Sequence, residues 1–131
     1  MSQESEAYDL VVVGGGPGGY TAAVRARQLG MRVALVERET LGGVCLNWGC
    51  IPTKALLKQA ELWSQLSRGE EFGFALSDAR FDWQKVVARS RDTADGLAQG
   101  VAYLMKKNGV EGYAGMGRVT PLRPPPESPL R

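Results

Sequence analysis

Apolar positions fall first into two short unbroken runs with a stretch of small residues between them. Tyr8 to Val13 reads Tyr-Asp-Leu-Val-Val-Val, rich in β-branched residues and bounded by glycine, which predicts a buried parallel strand. The string Gly14-Gly15-Gly16-Pro17-Gly18-Gly19 follows at once. Tyr20 to Leu29, with Ala22, Ala23, Val24 and Ala26 among them, predicts a helix that stops at Gly30. Arg32-Val-Ala-Leu-Val-Glu37 is a second buried-strand pattern. Strand, helix and strand in about thirty residues make a βαβ unit with a right-handed crossover.

The pattern then loosens. Thr40 to Pro52 holds three glycines and both cysteines and is expected to be an irregular loop. From Thr53 the chain turns helical, with Leu56, Ala60 and Trp63 beside Leu57, Leu62 and Leu66, until Gly69 and Gly73 break it. A longer helix is predicted from Asp82, a good N-cap, to Asn108-Gly109. Trp83, Val86, Val87, Ala94, Leu97, Val101, Leu104 and Met105 recur near its 3.6-residue period. Gly96 and Gly100 inside that helix imply either close packing or a break. Trp63, Trp83 and Tyr103 fall on helical faces and are expected in the core rather than against a cofactor. Val110 to Ala114 is a third strand, and Arg118-Val119 begins a fourth. The expected class is therefore α/β, a Rossmann-like domain with a parallel sheet that is incomplete at its C-terminal end.

Composition adds limits. At 131 residues, 44% of them apolar and 23% charged, the chain is one ordinary globular domain. The net charge of +2 comes from scattered charges of both signs, so neither nucleic acid nor a membrane surface is an expected partner. No apolar stretch approaches the roughly 18 residues of a membrane span. The polar leader, residues 1–7, resembles neither a secretory signal nor a transit peptide, and a cytoplasmic location is expected. Thr120 to Arg131 holds five of the seven prolines and is expected to be a disordered or extended tail. Pro121-Leu-Arg-Pro124 matches a proline-rich ligand motif in form only, since such matches arise easily. Histidine is absent, which excludes imidazole metal sites and any histidine-served nucleophile within the chain.

Two places carry chemistry. Gly14, Gly16 and Gly19 satisfy Gly-x-Gly-x-x-Gly between a strand and a helix. The first allows the turn out of the strand, the second lets backbone approach a pyrophosphate, and the third lets helix and strand pack closely. Free amides at the helix start favour phosphate, and Glu37 ends the second strand where an acid accepts ribose hydroxyls. The plain alternative is a structural glycine turn with a solvated Glu37. The surrounding strand, helix and strand favour dinucleotide binding.

The second place is Gly42-Gly-Val-Cys45-Leu-Asn-Trp-Gly-Cys50-Ile-Pro-Thr-Lys54. Two thiols without histidine do not make a zinc site, and a thioredoxin-type pair has two intervening residues, not four. Two ordinary core cysteines remain an alternative. In a reducing compartment passive disulfides are disfavoured, so pairing here would point to redox chemistry. Cys50 stands at the start of the predicted helix, with Pro52 in its first turn, and a helix N-terminus stabilises thiolate.

This segment resembles the redox-active disulfide motif of the flavin-dependent pyridine nucleotide–disulfide oxidoreductases, with Asn47, Gly49, Pro52 and Lys54 also at the family's spacing. Thr53 followed by Lys54-Ala-Leu-Leu looks like the dihydrolipoamide dehydrogenase branch, with the mercuric and glutathione reductases as the alternative. The resemblance runs from Tyr8 to about Thr120, and residues 8–119 would be part of an FAD-binding domain. It implies a Cys45–Cys50 disulfide, with Cys45 the interchange thiol and Cys50 the thiolate facing the flavin. Lys54 would lie against the flavin ring, and Gly14, Gly16, Gly19, Glu37, Gly43, Cys45 and Gly117 would also line the FAD site. It further implies NAD as electron acceptor, dihydrolipoamide carried on a lipoyl domain of a 2-oxo acid dehydrogenase complex as substrate, and a homodimer.

The family's chains are several times longer, adding a nicotinamide domain, the rest of the flavin domain, and a dimerisation domain with a histidine–glutamate relay. The sequence is therefore read as a truncated or frame-shifted product, unable to turn over alone, with a natural short protein as the rival. A reading from another class, a dinucleotide-binding module without turnover, also stands.

Overall fold

A computed structural model describes residues 7–75 and 77–121. Three strands form one parallel sheet in the order β1-β2-β3: β1 is Leu10–Val13, β2 is Val33–Glu37 and β3 is Glu111–Ala114. Leu10 pairs with Val33 and Val13 with Val36, while Ala34 pairs with Glu111 and Glu37 with Ala114. The central strand is apolar on both faces and is buried accordingly, Val33, Ala34 and Leu35 each exposing 2% or less. Helix α1, Pro17–Gln28, joins β1 to β2. The two parallel connections step the same way across the sheet, and α1 touches the long helix that precedes β3.

The region expected to be a loop is mostly helical. Helix α2, Gly43–Asn47, is followed after Trp48 and Gly49 by α3, Cys50–Ser67. The glycines hid this, because they mark the helix ends: Gly42 has φ of 99° and its position faces the Leu46 side chain, where a Cβ would come within 2.6 Å. A 3-10 turn, Gly69–Phe72, ends that half at the predicted breaks. Helix α1 likewise begins three residues earlier than Tyr20, at Pro17, where proline's missing amide costs nothing.

Helix α4, Trp83–Lys107, starts at the predicted cap: the Asp82 carboxylate accepts a hydrogen bond from the Lys85 amide at 3.1 Å. It runs through Gly96 and Gly100 without a break, and neither glycine is there for close packing, since a Cβ at either meets nothing within 4 Å. The core joins Ala23 and Ala26 of α1, Val33 and Leu35 of β2, Leu46 of α2, and Val101 and Met105 of α4. Trp83 and Tyr103 are not core residues, being 59% and 63% exposed. Trp63 is half-buried and packs edge-on against Phe81, which stacks on Trp83. Leu57, Leu62 and Leu66 of α3 are also exposed. Helical period marks an apolar face without saying how much of it is covered.

The expected strand at Arg118-Val119 is absent: residues 116–121 form no regular element. The tail reading falls on residues 122–131, outside the described residues, apart from Thr120 and Pro121. Tyr8 before β1 reaches β3, its hydroxyl donating to Glu111 and meeting the Tyr113 hydroxyl. Arg32 pairs with Glu111 at 3.5 Å and lies over the Tyr8 ring, so the outer strands are tied across β2. Among the described residues no helix is long and apolar enough to cross a membrane.

Candidate functional site

The glycine string carries the chain from the C-terminal end of β1 into α1. Gly14 turns with φ of 103°, and its amide donates to the Val36 carbonyl at 2.8 Å, tying the turn to β2. A Cβ at Gly19 would overlap the Gly14 carbonyl oxygen and sit 3.3 Å from Val12, so only glycine lets α1 seat against the strand it follows. Gly16 caps α1 with no side-chain hydrogen bond, leaving first-turn amides for an anion.

Glu37 ends β2 beside this turn. Its Oε2 accepts from the Gly15 amide at 2.6 Å and its Oε1 from the Glu39 amide at 2.9 Å. These backbone donors, Gly15 first, hold the carboxyl below the ordinary value of 4.5, against a smaller opposing effect of burial. A carboxylate offers about four lone-pair sites, so two backbone bonds leave two for the hydroxyls of a ribose.

A cleft of about 360 Å³ opens at the C-terminal ends of the three strands. Gly14, Glu37, Gly43 and Gly117 all line it, together with Thr40, Val44, Trp48 and Met116. The cleft lies where open parallel sheets hold ligands, and its volume suits a nucleoside. Gly43 approaches the glycine string so closely that a Cβ there would lie 2.9 Å from the Gly16 Cα, and the Gly42 amide donates to the Gly15 carbonyl at 2.8 Å. Gly117 packs against the strand ends, where a Cβ would meet Val13 at 2.8 Å. The cleft and the turn beside it therefore offer an acid, bare backbone and first-turn amides on this chain.

Cys45 lies in the middle of α2 and Cys50 opens α3, and the two are joined by a disulfide with Cα atoms 4.7 Å apart. Gly49 makes the closure between the helices, its position lying 3.0 Å from the Val44 carbonyl oxygen and 3.4 Å from the Cys45 Cα when a Cβ is placed on it. Asn47 is buried, and its amide donates to the carbonyls of Leu41 at 3.1 Å and Gly43 at 2.9 Å, which stiffens α2 from within. Pro52 is buried in the first turn of α3.

Gly16, Gly19, Cys45, Cys50 and Lys54 do not line the cleft. The glycines stand at the start of α1. Cys45 shares α2 with the cleft residues Gly43 and Val44, so one five-residue helix joins cleft and disulfide. Lys54 is exposed on the first turn of α3. Trp48, Thr40, Val44 and Met116 had no signal in the sequence, since nothing local distinguishes a cleft aromatic or methionine from a core one. The same holds for Arg91, whose guanidinium reaches from α4 to the Asn47 carbonyl. Among the described residues no group of three or more histidine, cysteine or acidic side chains stands together as a metal site.

Residues 8–123 match the family described as pyridine nucleotide-disulphide oxidoreductase. The chain is 54% identical over 113 residues to the dihydrolipoyl dehydrogenase of Zymomonas mobilis subsp. mobilis, covering 86% of this chain and 24% of the relative. It is 49% identical over 116 residues to that of Acholeplasma laidlawii, covering 88% and 34%, and 47% identical over 123 residues to that of Bacillus subtilis, covering 94% and 26%. The chain thus spans 24% to 34% of the length of these curated relatives. With a glycine turn, an acid-ended strand and a disulfide standing in the matched segment, this chain belongs to the pyridine nucleotide-disulphide oxidoreductase family.

Proposed function

We propose that residues 8–119 are the FAD-binding, disulfide-carrying part of a dihydrolipoyl dehydrogenase, which oxidises dihydrolipoamide with NAD. The observation that carries this reading is the Cys45–Cys50 disulfide built onto the helix that also walls the nucleotide cleft. Gly14, Gly16, Gly19, Glu37, Gly43 and Gly117 hold the adenosine and phosphates of FAD, and Cys45 and Lys54 stand toward its flavin. When bound, the flavin supplies an acceptor of two electrons between the thiols and the nicotinamide.

The chain's own residues perform the thiol step. A dihydrolipoamide thiolate attacks the Cys45 sulfur, breaking the Cys45–Cys50 bond and forming a mixed disulfide. The second lipoyl thiol then displaces Cys45. Lipoamide leaves with its new disulfide, and two electrons and two protons have passed to Cys45 and Cys50. Cys50 is the leaving group of the first step, and its place at the uncapped start of α3 stabilises it as thiolate. The partners in this reading are a lipoyl domain of a 2-oxo acid dehydrogenase complex and a second copy of the chain, in the cytoplasm.

Reconstitution with FAD and titration with dihydrolipoamide test this. One dithiol should be consumed per disulfide, with Cys45 and Cys50 alkylated only after reduction and FAD released on denaturation. Alkylation of both cysteines in the oxidised folded protein, or failure to retain FAD, would overturn the reading.

A further inference from the structure

We propose that Arg91 is a positioning residue for the disulfide: it holds the carbonyl end of α2 against α4, and so keeps Cys45 beside Cys50 when the sulfur–sulfur bond is open. The inference rests on the reading of Cys45–Cys50 as the working redox pair.

Helix α2 has only five residues, far too few to persist without outside support. Its own hydrogen bonds do not fasten it to the domain, because the Asn47 amide bonds to Leu41 and Gly43 in the same short segment. Noncovalent contacts with other elements fasten it. Leu46 enters the core, the Gly42 amide ahead of the helix bonds to the Gly15 carbonyl, and the Arg91 Nη1 donates to the Asn47 carbonyl at 2.9 Å across 44 residues of sequence. The Arg91 bond is the one at the C-terminal end, where carbonyls lack helical partners and a cation complements the dipole. It comes from a firm base, since Ser90 and Ala94 on either side of Arg91 expose 2% and 1%.

The disulfide fastens the same segment by its covalent link to α3. In the oxidised chain the two restraints overlap, and losing Arg91 frees little. In the reduced chain the covalent restraint is gone, and losing Arg91 frees the segment that carries Cys45. Removing Arg91 therefore favours the dithiol through the disorder that it alone would gain, and disulfide formation becomes harder.

The experiment equilibrates the FAD-loaded full chain with graded ratios of glutathione and glutathione disulfide. Alkylation and intact mass then count the thiols. Cys45 and Cys50 give two electrons and two protons to one glutathione disulfide, releasing two glutathiones as their own bond forms. Arg91→Ala should lower this equilibrium constant about tenfold, in proportion to one hydrogen bond from a charged donor. Arg91→Lys, which keeps a cation of similar reach, should recover most of the loss. Arg27→Ala is the control: it removes guanidinium bonds to two other carbonyls, those of Asn108 at 3.0 Å and Met31 at 2.9 Å, from a part of the fold remote in sequence from the cysteines. It should lower the melting temperature and leave the constant alone. Arg91→Gln, a milder truncation, runs beside these in case Arg91→Ala does not fold, and should also lie below the parent. A constant for Arg91→Ala, or for Arg91→Gln alone, within about twofold of the parent would overturn the proposal, as would an equal fall in Arg27→Ala. A parent that forms no disulfide in the most oxidising buffer would overturn the redox reading itself and the proposal with it.

Discussion

Glu37→Gln isolates the charge at the end of β2 while keeping the shape of the side chain. In the parent, both carboxylate oxygens accept backbone amides, from Gly15 at 2.6 Å and from Glu39 at 2.9 Å. A glutamine has one acceptor oxygen, so one of these amides must face an NH2 group, and the other keeps only a neutral partner. Hydrogen bonds to a charged acceptor contribute roughly 1.5–3 kcal/mol each, and a neutral one about 1 kcal/mol. Allowing for partial exposure, the substitution should cost about 2 kcal/mol near neutral pH, or roughly 8 °C in melting temperature. The folded pKa lies below the ordinary 4.5, so the carboxylate's contribution is complete above that value and disappears as pH falls through the folded pKa. Urea unfolding followed by far-UV dichroism, at pH 7 and again near pH 3, measures both claims. FAD titration at pH 7 should show weaker binding in the variant as well, since the remaining lone pairs are lost to the ribose. A difference under about 0.5 kcal/mol at neutral pH would refute the assignment of Glu37 as the clamp of the turn, and so would an undiminished difference in acid.

Three glycine substitutions separate the demands made on that residue. Gly19→Ala places a methyl group into the Gly14 carbonyl and should cost more than about 3 kcal/mol, seen as lost soluble yield or a large drop in melting temperature; a parent-like melt would refute the close helix–strand contact. Gly96→Ala and Gly100→Ala act in the opposite direction, each stabilising α4 by about 0.5–1 kcal/mol, because a Cβ there meets nothing within 4 Å. A destabilised Gly100→Ala protein would show that the position is packed after all.

The elements that short-range chemistry dictates were legible in the amino-acid order. The run Leu-Val-Val-Val, the glycine turn and the acid-ended second strand stand where the βαβ pattern put them, and Asp82 caps α4 as its residue type demands. Gly14 and Gly19 carry the turn and the close contact for the reasons their spacing implied. The cysteine motif, read as a likeness, led to the same disulfide that the structure shows. Helix α2 was missed because its flanking glycines look like loop residues, and its support comes from elsewhere: Leu46 is held by the core and the Asn47 carbonyl by Arg91. The exposure of Trp83, Tyr103 and Leu57 was likewise hidden, since periodicity describes one helix and burial depends on what lies against it.

Sequence alone determined which residues could make a turn, start a helix or hold charge, because those properties depend on a few neighbouring bonds. Only the tertiary structure decided that Trp48 walls the cleft at the strand ends, that the Glu37 carboxylate clamps the Gly15 amide, and that the Arg91 guanidinium bonds to the last carbonyl of the helix bearing Cys45. The last two are contacts across 22 and 44 residues. Their formation depends on the parallel register of β1 with β2 and on the packing of α4, which no local pattern encodes.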